Sequence, residues 1–170
     1  MNRFIFADPK LCAGCDACVD ACADAHKAAG LQPQSRITIV RNGDAATPIT
    51  CRHCENAPCA KICPVGAITL GDTSIDLDEA KCIGCKLCAV VCPFGVIALS
   101  SGKNDAGEQV GAVAVKCDLC QSAANGPACI TACATKALFL VDGKSMRKSG
   151  NAKRKASVLG MPEFMDGAKD

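Results

Sequence analysis

Cysteines in the centre of the chain follow a spacing that suits one kind of metal chemistry. Residues 82–93 read C-I-G-C-K-L-C-A-V-V-C-P, with intervals of two, two and three residues and a proline after the last cysteine. Residues 51–64 repeat this pattern with two more residues before the third cysteine. Thiolates at this spacing are typical ligands of 4Fe–4S clusters. The central stretch therefore predicts two such clusters.

Two further cysteine runs flank the centre, so the chain contains four. Run one, at 12–22, has the same intervals of two, two and three, and run four, at 117–133, has intervals of two, eight and three. Both outer runs end in Cys-Ala instead of Cys-Pro. Sixteen cysteines supply four ligands to each of four clusters and leave no iron open to a substrate. The sequence therefore predicts four 4Fe–4S clusters in a non-catalytic, electron-carrying protein.

The fourth cysteine of each run is expected to bind the cluster of a different run. It lies one helical turn beyond the third, displaced by about 6 Å along an axis that rises about 1.5 Å per residue. Because the inner runs share one ending and the outer runs share the other, we pair run one with run four and run two with run three. The predicted ligand sets are site 1, with Cys12, Cys15, Cys18 and Cys133; site 2, with Cys117, Cys120, Cys129 and Cys22; site 3, with Cys51, Cys54, Cys59 and Cys92; and site 4, with Cys82, Cys85, Cys88 and Cys63.

Short strands and helices must position these runs, which predicts an α+β fold. An alanine-rich helix is expected over 19–29, ending at Gly30, and a glycine-rich and charged loop over 100–112. We expect residues 1–141 to form two ferredoxin-like modules related by pseudo-twofold symmetry. The outer half would hold residues 1–40 and 110–141, and the inner half residues 47–100. β-Branched and apolar stretches predict strands at 3–6, 37–40, 67–70, 75–77, 96–99, 113–115 and 137–140.

Residues near the runs are expected to adjust the surroundings of the clusters. A dry shell lowers a cluster's reduction potential, whereas N–H···S hydrogen bonds raise it. The apolar residues predicted to form this shell are Ile83, Leu87, Val91, Phe94, Val96 and Ile97. Sixteen cysteines complete four sites, so His26 and His53 are expected to donate hydrogen bonds to sulfur or backbone instead of binding metal. The lysines that either raise potentials or form solvated surface are Lys61, Lys81, Lys86 and Lys116.

Composition excludes several classes of protein. The longest apolar run, Leu87 to Leu99, is too short to span a bilayer, and the N-terminus lacks an extended apolar signal. We therefore expect a cytoplasmic protein, where clustered cysteines bind metal, with export beside a twin-arginine partner as an alternative. The formal charge is +2. Four oxidised clusters of about −2 each would make the loaded protein about −6, which disfavours nucleic-acid binding.

Residues 142–170 form a basic C-terminal arm without cysteine. The arm holds seven basic and four acidic residues. Composition alone favours a disordered, solvated tail. Apolar pairs at Val158-Leu159, Met161-Pro162 and Phe164-Met165 favour docking instead, either on the body of the same chain or on another protein. We expect the arm to dock on a catalytic subunit or on a second copy of the chain.

The runs Cys12-Ala-Gly-Cys-Asp-Ala-Cys-Val-Asp-Ala-Cys and Lys116-Cys-Asp-Leu-Cys, together with the two central runs, resemble the four-cluster electron-transfer subunits of molybdopterin oxidoreductases. The resemblance covers about residues 1–141. It is closest to the iron–sulfur subunits of formate hydrogenlyase and formate dehydrogenases, and similar subunits accompany tungsten aldehyde oxidoreductases and carbon monoxide dehydrogenases. It implies the same nested exchange of fourth ligands.

The resemblance also implies a function and a set of partners. The chain would relay electrons between a separate molybdenum- or tungsten-containing catalytic subunit and an acceptor, such as a hydrogenase, a flavin subunit or another copy of itself. The alternatives are a free polyferredoxin, a carrier for carbon monoxide dehydrogenase or hydrogenase, and a zinc-based interaction module.

Overall fold

The computed structural model describes residues 1–43, 45–103, 109–121 and 123–159. These residues form a small α+β fold of short strands and short helices. The strands are β1 (Phe4–Ala7), β2 (Thr38–Asn42), β3 (Ala45–Ile49), β4 (Ile68–Leu70), β5 (Ile75–Leu77), β6 (Ala98–Lys103), β7 (Gln109–Val115) and β8 (Leu138–Val141). The helices are α1 (Ala17–Ala28), α2 (Pro58–Ile62), α3 (Leu87–Val91), α4 (Ala128–Thr131) and α5 (Gly143–Leu159).

The strands pair antiparallel as four two-stranded sheets. Three are local hairpins, β2–β3, β4–β5 and β6–β7, and the fourth joins β1 to β8, with Phe4 opposite Val141. The long-range pair ties the start of the chain to the segment after run four. The predicted hairpin at 67–77 is confirmed, whereas the predicted loop at 100–112 is wrong at both of its described ends. Cross-strand pairs such as Ser101 with Ala112 extend β6 and β7 there, because pairing satisfies backbone groups whatever the side chains.

Cysteines form much of the buried core, in two groups of packed residues. Helix α1 packs against α4 in one region, and α2 packs against α3 in the other. The first group contains Ile5, Ala7, Ile37, Leu119 and Leu138 with Cys18, Cys22, Cys51, Cys117 and Cys129. The second contains Ala57, Ile68, Ile75, Ile97 and Ala114 with Cys59 and Cys88. Cys51 belongs to run two but packs in the first group, so the two groups meet at this residue.

The predicted apolar shell is wrong at three positions. Ile83, Leu87 and Phe94 are 63%, 42% and 44% exposed, whereas Ile97 is buried. The backbone of run three approaches β7 closely at Gly84, where a Cβ would collide with the carbonyl oxygen of Ala112. The neighbouring apolar side chains of this loop are consequently left at the surface.

The start of the arm is the helix α5, so the disordered tail favoured by composition is wrong there. Asp142 accepts a hydrogen bond from the Ser145 N–H at 2.7 Å, and the Ser145 hydroxyl accepts one from the Asp142 N–H at 2.9 Å. This reciprocal pair caps the helix. The apolar pairs at 161–162 and 164–165 lie outside the described residues. Among the described helices, none combines the length and apolar character needed to cross a membrane.

Candidate metal centres

All four runs use the same backbone geometry at the residue before their second cysteine. Gly14, His53, Gly84 and Leu119 have φ angles of 65°, 46°, 66° and 60°. A left-handed residue turns the chain sharply, which curls each loop between its first two cysteines. Side chains other than glycine rarely adopt this conformation, so His53 and Leu119 are strained positions that the surrounding structure maintains.

The four cysteines of site 1 line one open cavity of about 300 Å³. Burial, together with charge on Cys133, Cys15 and Cys12, raises the pKa of the Cys18 thiol to about 11. The charge effect from Cys133 shows that run four reaches into the cavity built by run one. Cys15 is exposed, so this group reaches the protein surface.

The four cysteines of site 4 line a similar cavity of about 350 Å³, together with the apolar residues Val65 and Ile83. Cys88 is buried and Cys85 is exposed. Ala114 of β7 donates its N–H to the Cys82 sulfur at 3.3 Å. Site 4 therefore resembles site 1 in having one exposed cysteine at the molecular surface.

Site 2 is the most enclosed group, because all four of its cysteines are buried. Burial, together with charge on Cys22, Cys120 and Cys18, raises the pKa of the Cys129 thiol to about 12. Burial raises the pKa of Cys117 as well, and charge on Cys129 and Cys51 adds to this effect. Cys51 and Cys117 pack in the same buried group, so the edge of site 3 lies next to site 2.

His26 forms an ion pair beside site 2. Its Nε2 lies 3.0 Å from Asp118 Oδ1 and its Nδ1 lies 2.6 Å from the Cys22 carbonyl oxygen. Burial disfavours the charged ring, but the hydrogen bonds to Asp118 and Cys22 outweigh it and raise the pKa of His26 to about 10. His26, Asp118 and Cys120 lie close enough to hold a metal. Both ring nitrogens donate to oxygen, however, so His26 has no lone pair left for one, as the sequence predicted.

Site 3 contains two buried and two partly buried cysteines. Burial raises the pKa of Cys59, and charge on Cys51 and Cys92 adds to this effect, so Cys92 of run three lies near the cysteines of run two. His53 lies between the first two cysteines and is 1% exposed. Its Nδ1 accepts a hydrogen bond from the Ile75 N–H at 2.9 Å, which leaves the proton on Nε2. Among the described residues, this Nε2 has no hydrogen-bond partner.

Cys63 and Cys133, each the fourth cysteine of its run, differ from the thiols with raised pKa because hydrogen bonds lower their pKa. Burial would raise the pKa of Cys63, but backbone N–H groups of Ile68, Val65, Ala67 and Gly66 hold that pKa below its usual value. The Ala67 N–H lies 3.3 Å from the Cys63 sulfur, and the Ala137 N–H lies 3.2 Å from that of Cys133. Run four makes this turn without a proline, and its Lys136 adopts a φ of 53° where run two has Gly66 at 61°.

The chemistry of these groups fits iron–sulfur clusters. All sixteen cysteines are free. Burial raises the pKa of seven of the cysteine thiols, those of Cys18, Cys51, Cys59, Cys88, Cys117, Cys120 and Cys129. A bound cation is therefore needed to keep these groups as thiolates. Backbone N–H groups also point at cysteine sulfur, as cluster ligation requires. The unpartnered Nε2–H of His53 is a buried donor that an inorganic sulfide would satisfy.

Comparison with protein families identifies this chemistry. A family model described as "4Fe-4S dicluster domain" matches residues 44–143, which hold runs two to four. A model described as "4Fe-4S binding domain" matches residues 9–25, which hold run one. The chain belongs to the 4Fe-4S dicluster domain family. Members of this family bind 4Fe–4S clusters, which decides against the zinc alternative and makes the chain a ferredoxin-type iron–sulfur protein.

Curated relatives of this dicluster chain include three proteins of Escherichia coli K12. "Hydrogenase-4 component A" is 40% identical over all of this chain and 96% of the relative. "Formate hydrogenlyase subunit 2" is 39% identical over 91% of this chain and 89% of the relative. "Electron transport protein HydN" is 38% identical over 94% of this chain and 99% of the relative.

Solved structures show only a remote likeness. The "active site complex BamBC of Benzoyl Coenzyme A reductase in complex with Benzoyl-CoA" contains a chain that is 20% identical, with a TM-score of 0.39 over 93% of this chain and 94% of that chain. A likeness at this level carries no argument about function.

Proposed function

We propose that this chain is an electron-transfer subunit with four 4Fe–4S clusters, one at each of sites 1 to 4. Neighbouring sites are structurally linked. Cys18 and Cys22 on α1 join sites 1 and 2, and the packing of Cys51 with Cys117 joins sites 2 and 3. Cys59 on α2 and Cys63 at its end join sites 3 and 4. Electrons would pass along this series in the order 1, 2, 3, 4 or in reverse.

The burial of the cysteines is the observation that supports a relay. Cys15 of site 1 and Cys85 of site 4 are exposed, whereas sites 2 and 3 contain no exposed cysteine. Electrons would therefore enter at one end and leave at the other, while the middle sites stay shielded from water. The outer half (1–40 and 110–141) would carry sites 1 and 2, and the inner half (47–100) sites 3 and 4.

The chemistry on a substrate would belong to another subunit. Every iron of the four clusters would have a cysteine ligand, so none is left for substrate. We propose a molybdenum- or tungsten-containing partner of formate dehydrogenase or aldehyde oxidoreductase type. The acceptor would be a hydrogenase, a flavin subunit or another copy of the chain, in the cytoplasm where thiols stay reduced. Relatives named as components of hydrogenase-4 and formate hydrogenlyase support a role inside a complex.

Exposed apolar residues around site 4 would be the docking surface for one redox partner. We define the apolar rim as Val65, Ile83, Leu87 and Val90. Val65 and Ile83 line the cavity of site 4, and Leu87 and Val90 are 42% and 80% exposed on one face of α3. The occupant would be the subunit that carries the next redox centre, because a cluster edge exposed at Cys85 transfers electrons only to a centre brought close to it.

The arm would supply a second, electrostatic contact. Helix α5 contains six basic and no acidic residues, and all six basic side chains are exposed. Residues 1–141 hold twelve basic and thirteen acidic residues, and four oxidised clusters would make this body about −9. We propose that residues 142–170 dock on an acidic surface of the partner complex.

A free polyferredoxin is the second candidate, and the relative named "Electron transport protein HydN" favours it. Anaerobic purification distinguishes the two functions. A subunit would co-purify with a large protein that contains molybdenum or tungsten, and a free carrier would run alone on a sizing column.

Metal analysis of the same material tests the cluster count. Four clusters predict about sixteen iron atoms per chain. About eight or fewer in carefully reconstituted protein, or zinc in place of iron, would contradict the proposal.

A further inference from the structure

Lys116, which directly precedes the first cysteine of run four, is buried in the middle of the molecule. It is 1% exposed and is among the largest fully buried side chains of the described residues. Its Nζ donates hydrogen bonds to the carbonyl oxygen of Ile75 and, at 2.8 Å, to that of Cys117. The first bond reaches across to β5 of the inner half. The ammonium group therefore lies between the two halves.

No carboxylate forms an ion pair with this ammonium group in the part of the chain that the structure describes. The ion pairs found there involve other residues, and both partners of Lys116 Nζ are neutral carbonyl groups. A buried ammonium without a counter-charge is costly, so an anion is expected nearby. Its hydrogen-bond partners place it beside both internal sites: Cys117 belongs to site 2, and Ile75 donates its N–H to His53, which lies between the first two cysteines of site 3. The lysine's charge also offsets part of the rise in pKa that burial causes at Cys51, Cys59 and Cys117. The anions it faces are consequently cluster ligands from both internal sites.

Lys81 occupies the equivalent place in run three and provides the contrast. It also directly precedes the first cysteine of its run, but its side chain is 65% exposed and pairs with Asp78 at 3.2 Å. The shared Lys-Cys sequence therefore does not by itself require a buried charge. Only the lysine beside the internal sites is placed where water does not screen it.

We infer that Lys116 is a positioning residue whose charge raises the reduction potentials of the internal clusters at sites 2 and 3, an inference that rests on the proposed function. Reduction makes a cluster more negative, and a fixed positive charge stabilises that form. The enclosed surroundings of site 2 act in the opposite direction. The lysine would keep the internal potentials close enough to those of the terminal sites for electrons to pass through the centre.

The test compares neutral variants at the buried and exposed positions in the full chain. Lys116→Met removes the charge at similar volume, and Lys116→Gln removes it while keeping a hydrogen-bond donor. Lys81→Met and Lys81→Gln are the matched controls. Potentiometric titration followed by electron paramagnetic resonance would measure the potentials, and iron analysis would verify cluster content.

A unit charge about 10 Å away in an interior of effective dielectric about 20 changes a one-electron equilibrium by more than tenfold, whereas in water the change is about twofold. We expect both Lys116 variants to lower at least one internal potential by tenfold or more, which is about 59 mV for one electron. The Lys81 variants should shift potentials by about twofold.

Several results would overturn the inference. Potentials of both Lys116 variants that match the wild type, or that shift no more than those of the Lys81 variants, would show that the charge has no effect on the clusters. If only Lys116→Met shifts the potentials, the hydrogen bonds and not the charge are responsible. If neither neutral variant holds its clusters, the Lys116→Arg variant decides between charge and packing. Clusters in the arginine variant would support a role for the positive charge, whereas their absence would show that the lysine acts through packing. A wild-type protein without four clusters would instead refute the proposed function.

Discussion

The proposed sites 2 and 4 would each combine three cysteines of one run with one from another, yet the surroundings of these cysteines differ sharply. Site 2 is enclosed: its four cysteines are buried, and the His26–Asp118 ion pair lies beside it. Site 4 opens to the surface at Cys85 and is surrounded by exposed apolar side chains. In the proposed relay, the same ligand pattern would thus serve as an internal centre in one place and as a terminal centre in the other.

The physical cause of the difference is what packs on each loop. The loop of run four carries Leu119, which is 4% exposed and belongs to the first buried group. The corresponding residue of run three is Gly84, whose backbone abuts β7 and whose neighbour Ile83 remains at the surface. A single inward side chain therefore draws one loop into the core, whereas a close backbone approach leaves the other at the edge.

The largest expected effect is the loss of iron when one cysteine ligand is replaced, either in site 4 or in site 2. Cys85→Ser should cost only the terminal cluster and leave about three quarters of the iron. Cys117→Ser should cost half or more, because the serine hydroxyl would be buried in the core shared with Cys51, where an unsatisfied polar group costs about 1–3 kcal/mol. Iron analysis of anaerobically purified variants measures both. Equal losses would show that burial does not separate internal from terminal sites.

Charged substitutions in the apolar rim should weaken the partner complex next most strongly. Ile83→Asp combined with Val90→Asp places two carboxylates where we propose an apolar interface. We expect affinity to fall by about tenfold or more, equivalent to about 1.4 kcal/mol, with iron content unchanged. The control is Val40→Asp on β2, where the valine is 53% exposed but lies far from run three in the sequence. A complex that tolerates the rim variant as well as the control would exclude this surface as the interface.

Truncation of the arm should have a smaller effect, which depends on salt. Removing residues 142–170 should leave iron content intact and weaken assembly a few-fold at low ionic strength. The difference from the full chain should shrink as salt rises, because screening weakens contacts between exposed charges. A truncation that removes only residues 160–170 keeps α5 and separates the basic helix from the segment beyond it. Normal assembly at low salt of the protein that lacks residues 142–170 would contradict a docking role for the arm.

The smallest expected effect concerns the unpartnered donor at site 3. His53→Asn offers an oxygen in place of Nδ1 to the Ile75 N–H and suits the left-handed backbone at this residue. It removes the Nε2–H, so the potential of one internal cluster should fall by less than tenfold, or less than about 59 mV. Titration alongside the Lys116 variants measures this shift. An unchanged potential at full iron content would mean that Nε2 donates no hydrogen bond to the cluster.

Sequence spacing was sufficient for the local parts of the fold and for the class of cofactor. Intervals of two and three residues indicated 4Fe–4S ligation, which the family match supports. β-Branched and apolar stretches indicated five of the eight described strands to within two residues at each end, whereas β6 and β7 each extend four residues beyond their predicted limits and β3 was not predicted. The helix at 143–159 was missed, although Asp142 and Ser145 are a recognisable cap with the spacing of a capping box. The basic and apolar-poor composition of this stretch favoured disorder, whereas the capping pair is the local signal that favours a helix.

What the sequence determined by itself is the content of each run, because residues a few positions apart are held together by local backbone geometry. The tertiary structure decided which runs are enclosed. Cys85 and Cys120 are both second cysteines of their runs, but one is exposed and the other buried. Lys81 and Lys116 both precede a first cysteine, and only Lys116 is buried. Burial depends on which distant segments pack on a residue, as β5 does on Lys116, and spacing within a run carries no information about those segments.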